Sequence, residues 1–96
     1  MIYTFILSPD AKEGIRSALL WYLQHDTNLP FRFEAELRLA LSRIAQYPNQ
    51  FQLVYGQVRR ARMKRFPYLI YFTPTASSIY VVNVLHQRRL NPLHRP

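Results

Sequence analysis

Leu7-Ser8-Pro9-Asp10-Ala11 is the stretch where this chain must pass from strand to helix, and the rest of the fold is read outward from it. Ser8 can cap a helix with its hydroxyl. Pro9 suits the first helical position, and Asp10 complements the positive end of the helix dipole. Before the junction, residues 2–7 are β-branched and aromatic with weak alternation, which predicts a strand. After it, Ala11, Ile15, Ala18, Leu19, Tyr22 and Leu23 recur at helical spacing, predicting a helix that stops near Asp26 to Asn28. Leu29-Pro30 restarts a second helix with the stripe Phe33, Leu37, Ala40, Leu41, Ile44 and Tyr47, closed by Pro48. Two helices joined by so short a link form an antiparallel hairpin.

Residues 48–57 read as a connector containing Gly56, one of only two glycines. Residues 58–65 then alternate as a strand, with Ala61 and Met63 on one face and Arg60, Arg62 and Lys64 on the other. Pro67 lacks a backbone donor and biases Phe66 toward extended backbone, so a turn or strand edge belongs there. Residues 68–73 and 78–85 are two further strands around a turn at 74–77. The order β-α-α-β-β-β predicts an α+β domain: a helical hairpin packed on one face of a small, largely antiparallel sheet. Residues 1–90 form one domain, and residues 91–96 a proline-limited tail.

Charge divides the chain sharply. Asp10, Glu13, Asp26, Glu34 and Glu36 are its only acids, so residues 37–96 hold ten of the thirteen Lys and Arg and no carboxylate side chain. Residues 1–36 carry net −2 and the remainder +10. A split of this kind predicts a basic face for an anionic partner, either nucleic acid or acidic protein. It also denies the second half any Asp or Glu to act as general base or metal ligand. With no cysteine and three scattered histidines, the sequence offers no recognisable metal site, and no cofactor is expected. The apolar start is only seven residues long and runs into a helix start, so it reads as a strand and not a signal peptide. No apolar run approaches the roughly 20 residues of a membrane span, and a cytoplasmic protein is expected.

Two segments carry candidate site residues. In Arg59-Arg60-Ala61-Arg62-Met63-Lys64-Arg65, alternation sets Arg60, Arg62 and Lys64 on one face, and Arg59 and Arg65 on the other. Cations about 6.6 Å apart along a strand match successive phosphates of an extended nucleic acid, although a strand edge protected by charge looks the same. In His86-Gln87-Arg88-Arg89, a histidine titrating near neutrality stands beside arginines able to stabilise a phosphorane. The plainer alternative is that His86 closes the sheet while Arg88 and Arg89 bind a partner's carboxylates. His25, near the end of the first helix, and His94, in the tail, carry less weight. At least one of Leu20 and Trp21 must lie off the core stripe of the first helix; Trp21 and Tyr22 there offer a binding patch or, more commonly, half-exposed packing.

Taken in order, these residues resemble the RelE/ParE superfamily of toxins from type II toxin–antitoxin systems. The likeness rests on the opening strand with Leu7-Ser8-Pro9-Asp10-Ala11, the hairpin closing at Tyr47-Pro48, and the run from Arg59 through Phe66-Pro67-Tyr68 to Tyr71. It ends on Val81-Val82-Asn83-Val84-Leu85-His86-Gln87-Arg88-Arg89 with the nearby Pro92. The resemblance implies an acidic cognate antitoxin that wraps the toxin in a hetero-oligomer, with no metal. It implies one of two targets. The His-Gln-Arg-Arg ending is similar to the ParE-like branch, whose members bind DNA gyrase and are not known as hydrolases. Here Leu90-Asn91 makes the spacing to Pro92 one residue longer than that pattern. RelE-like members enter the ribosome and cleave mRNA; on that alternative Arg62, Lys64, Tyr71 and His86 would be the catalytic set. Whether the chain is an enzyme therefore stays open at this point. On either branch Arg59, Arg60, Arg62, Lys64, Arg65, His86, Arg88 and Arg89 are expected to bind target or antitoxin.

Overall fold

The structure, a computed structural model, describes residues 3–89, with Arg89 described in its backbone only. The expected tail at 91–96, including Pro92 and His94, lies outside the described residues. β1 (Thr4–Leu7) leads into α1 (Pro9–Leu23) and α2 (Leu29–Gln46). A 3-10 turn at Pro48–Gln50 precedes β2 (Gln52–Tyr55), β3 (Val58–Arg62), β4 (Tyr68–Pro74) and β5 (Ser78–His86). A second 3-10 turn spans Gln87–Arg89. The five strands form one sheet in the order β1-β5-β4-β3-β2, antiparallel throughout except for the parallel β1–β5 pair.

Both helices pack on one face of that sheet. α2 buries Phe33, Leu37, Ala40 and Ile44, spaced four, three and four residues apart. α1 buries Ala11, Ala18 and Tyr22. They meet Ala61 and Met63 from β3 and its end, Ile70 and Phe72 from β4, and Ile79, Val81 and Val84 from β5. Edge-to-face contacts of Phe33 with Phe66 (5.3 Å) and Tyr68 (5.1 Å) seal the end of this core nearest the β3–β4 loop. Burial raises the Tyr22 phenol above its ordinary pKa.

The expected β-α-α-β-β-β order gains a strand. Residues 48–57 hold a 3-10 turn and β2, which pairs with β3 across Gly56-Gln57. Gly56 has φ 49°, and glycine in the left-handed region at the first of two loop positions is the residue pattern of a tight hairpin turn. β3 stops at Arg62, three residues short of the expected end. α1 stops at Leu23, where the Asp26 carboxylate accepts the Asn28 N–H (2.7 Å) and turns the chain toward α2. Leu23 and Tyr47 are exposed, unlike the rest of the predicted helical stripes. Both Leu20 and Trp21 face solvent.

Two contacts fix α1 on the sheet. Ser8 is 7% exposed and caps α1 by accepting the Ala11 N–H at 2.9 Å. Its hydroxyl donates to the Val82 carbonyl, and its N–H donates to the Val81 carbonyl at 3.0 Å. Val82 is the extra residue of a β-bulge, since Phe72 pairs with Val81 and Tyr71 with Asn83. Six residues further on, Gly14 passes so close to β5 that an added Cβ would lie 2.1 Å from the Val84 carbonyl oxygen. Gly14→Ala should therefore destabilise the protein by about 2 kcal/mol or more, despite alanine's better helix propensity. A thermal melt should show the midpoint falling by about 8 °C or more. An unchanged or higher midpoint would contradict the close approach.

Candidate partner interface

The face of the sheet opposite the helices presents two cross-strand rows. Arg60, Tyr71 and Asn83 form one, and Arg62, Leu69 and Leu85 the next. Leu69 and Tyr71 are buried even though they lie outside the helix-side core. Gln52 and Gln87 frame the rows: Arg60 Nη2 donates to Gln52 Oε1 (3.4 Å), and Arg62 Nη1 to Gln87 Oε1 (3.2 Å). Gln52, Arg60, Arg62, Leu69 and Gln87 line a shallow cavity of about 360 Å³. Every residue of this face that lies on β2 to β5 comes from the carboxylate-free part of the chain. Neutral glutamines hold the arginines in place without cancelling their charge.

The basic run 59–65 does not act as one row. Arg60 and Arg62 share the open face as the alternation predicts, while Lys64 lies beyond the end of β3, exposed in the β3–β4 loop. Arg59 points to the helix side, where its Nη1 donates to the carbonyls of Asn49 (3.1 Å) and Phe51 (2.6 Å). This guanidinium is a tie that holds the 3-10 turn and the entry to β2 against β3. Arg65 sits in the β3–β4 loop with φ 71°, a left-handed backbone uncommon outside glycine. Its side chain meets Glu36 of α2 at 3.7 Å. The second-half cations are thus not all unopposed, because α2 brings one early carboxylate across to them. Arg43 also crosses over, donating to the Arg62 carbonyl at 3.0 Å.

The candidate catalytic set divides between the two faces. Arg62 and Tyr71 lie on the open face, whereas His86 pairs with Tyr68 on the helix side, ring against ring at 5.1 Å. The bulge at Val82 accounts for this. Ile79 and Val81 face the helices; unbroken alternation would place residues 83 and 85 with them and His86 on the open face. The extra residue shifts the phase by one, so Val84 and His86 turn to the helix side instead. His86 Nδ1 accepts the Arg88 N–H at 3.1 Å, which requires that nitrogen to carry no proton. Arg88 itself is exposed in the closing 3-10 turn. His25 lies past the end of α1, stacked on Trp21 with ring centres 4.0 Å apart, and its Nδ1 donates to the Trp21 carbonyl. Among the described residues no three His, Asp or Glu side chains cluster closely enough to hold a metal ion.

Four features of this surface lay beyond sequence reasoning: the framing glutamines Gln52 and Gln87, the Glu36–Arg65 pair, and the separate duties of Arg59 and Arg60. Gln52 would have been found had Gly56 been taken as a hairpin turn, since the pairing places it beside Arg60. The division of labour predicts opposite mutational behaviour for neighbours. Arg59→Ala should cost about 1–3 kcal/mol, because two backbone carbonyls lose their donor. Arg62→Ala should change stability by no more than about 0.5 kcal/mol. Urea denaturation of both variants checks this, and equal losses would contradict it.

The family model described as ParE toxin of type II toxin-antitoxin system, parDE, matches residues 5–91. No curated protein matches the sequence. Among solved structures, a chain from the "Chromosomal ParDE TA system from P. aeruginosa" superposes with a TM-score of 0.75 at 12% identity, covering 88% of this chain and 96% of that one. At that identity the likeness speaks for the fold. With a family match that runs through the helical hairpin, the basic strand and the His-Gln-Arg-Arg ending, the chain belongs to the ParE toxins of type II toxin–antitoxin systems.

Proposed function

We propose that this toxin acts in the cytoplasm by binding DNA gyrase, and that an acidic segment of a cognate antitoxin neutralises it by covering the open face of the sheet in a hetero-oligomer. The observation that carries the reading is the separation of the ribonuclease candidates. Cleavage of RNA through the 2′-hydroxyl needs a group to accept its proton and another to protonate the leaving 5′-oxygen, on either side of one phosphate. Arg62 and Tyr71 on one face and His86 on the other do not bracket a common phosphate. Residues 37–96 supply no carboxylate to replace the missing base. Binding asks less of the same residues: Arg60 and Arg62, held by glutamines, offer fixed cations to carboxylates.

Purified toxin at micromolar concentration should inhibit supercoiling by purified gyrase, and the antitoxin should restore it. Undisturbed supercoiling would remove the gyrase reading.

A second reading, ribosome-dependent mRNA cleavage, draws on the shared placement of Arg60 and Arg62 around one cavity, with Tyr71 paired to Arg60 across the sheet. It predicts codon-phased breaks by primer extension on mRNA from toxin-expressing cells, lost in Arg62→Ala. On the gyrase reading such breaks are absent from wild type and variant alike.

A further inference from the structure

A second concave site lies away from the open face, between the start of α2 and the β3–β4 loop. Leu29, Arg32, Ala35 and Glu36 of α2 face Arg65 and Phe66 across a cleft of about 620 Å³. Three observations set this place apart from ordinary surface. The loop backbone is held in an uncommon shape: Arg65 is left-handed, and the Phe66 carbonyl accepts the Tyr68 N–H at 2.7 Å in a three-residue turn around Pro67. Met63 N–H to the Tyr68 carbonyl (3.0 Å) and Gln87 N–H to the Pro67 carbonyl (2.7 Å) clamp the loop at both ends. The loop is also anchored, because Phe66 is buried against Tyr22 and Phe33 with ring centres 5.1 and 5.3 Å apart. Arg65 is thus displayed in a fixed position, with its side chain 82% exposed. A non-glycine residue kept left-handed by its surroundings is a reason to look for function.

The third observation is the counter-ion. The Glu36 side chain is only 12% exposed, and it approaches Arg65 at 3.7 Å, too long for a tight bidentate pair. Two arginines, Arg32 and Arg65, therefore share one nearby carboxylate among the residues lining the cleft. The site has spare positive charge, with Leu29, Ala35 and the edge of Phe66 as apolar walls.

We propose that this cleft recognises an acidic protein segment in which a carboxylate stands beside an apolar residue. The incoming carboxylate takes Arg65 and Arg32, while its apolar neighbour rests against Leu29 and Phe66; Glu36 acts as a weak internal competitor that is displaced. A nucleic acid fits the cleft less well. The apolar walls made by Leu29, Ala35 and Phe66 offer nothing to a sugar–phosphate backbone. The cleft also faces away from Arg60 and Arg62, so a partner using both would have to pass round the β3–β4 end of the sheet. The inference shares with the proposed function only the idea of an acidic protein partner, and its test below does not depend on gyrase.

The test is an NMR titration of the isotope-labelled full chain with a terminally blocked Asp-Leu-Glu tripeptide. Blocked Asn-Leu-Gln and a ten-residue oligothymidylate serve as the comparison ligands. The acidic peptide should shift the amides of Arg32, Arg65 and Phe66, and the neutral peptide should not. Arg65→Asn keeps a residue that tolerates the left-handed backbone, removes the cation, and should weaken binding about tenfold. Glu36→Gln removes the competitor and should tighten binding severalfold. Shifts confined to Arg60 and Arg62, equal response to the neutral peptide, stronger shifts of the cleft amides by the oligonucleotide, unchanged affinity in Arg65→Asn, or unchanged or weaker affinity in Glu36→Gln would each overturn it.

Discussion

Ser8 places one hydroxyl between two parts of the chain 74 residues apart, accepting from the first turn of α1 and donating to the bulged carbonyl of Val82 on β5. Much of the molecule is arranged around that contact. It needs β1 to run parallel beside β5, so that Leu7 is paired with Val81 when the helix begins. It also needs the bulge, which turns the Val82 carbonyl toward the helix start. It brings α1 down so close to β5 that residue 14 has room for glycine alone. A buried hydroxyl satisfied at both ends adds stability and also fixes position, because leaving either partner unpaired in the interior costs about 1–3 kcal/mol.

The bulge connects this local contact to function. By shifting the phase of β5 it sends His86 to the helix side, against Tyr68, and leaves the open face to Arg60, Arg62 and Tyr71. A single extra residue thus decides whether the histidine and the arginines meet. They do not, and the open face keeps Arg60, Arg62 and Tyr71 without His86. The family model identifies a ParE toxin, and this geometry is what supports the proposal that it acts by binding. Charge is also sorted by role, since Arg59 holds backbone, Arg65 meets a carboxylate from α2, and Arg60 and Arg62 are held outward by neutral glutamines.

How much of this was legible in the sequence follows from the range of each interaction. The helical hairpin and the Ser8 cap are local signals, visible in spacing and in Ser8-Pro9-Asp10. The central strands 68–73 and 78–85 announce themselves by apolar content. β2 stayed hidden because Gln52-Leu53-Val54-Tyr55 is only four residues long, and its partner is recognisable only once Gly56 is known to be left-handed. The bulge at Val82 has no sequence mark, since Val81-Val82-Asn83-Val84 satisfies either phase, so the face of His86 could not be assigned. Gly14 reads as a mild flaw in a helix, and only the approach of Val84 shows it to be required. The acid-free second half was plain at once, but which of its cations are already engaged depends on contacts across the fold.

The claim at the centre of this account is that the open face, through Arg60 and Arg62, is where an acidic antitoxin holds the toxin. Its most direct measurement is the affinity of toxin for antitoxin across a range of salt concentrations, for wild type and for the Arg60→Ala/Arg62→Ala double variant. The account predicts that wild-type affinity falls steeply as salt rises, and that the double variant binds about tenfold or more weakly at low salt with much of that dependence gone. A double variant that binds as tightly as wild type, with the same salt dependence, would contradict it.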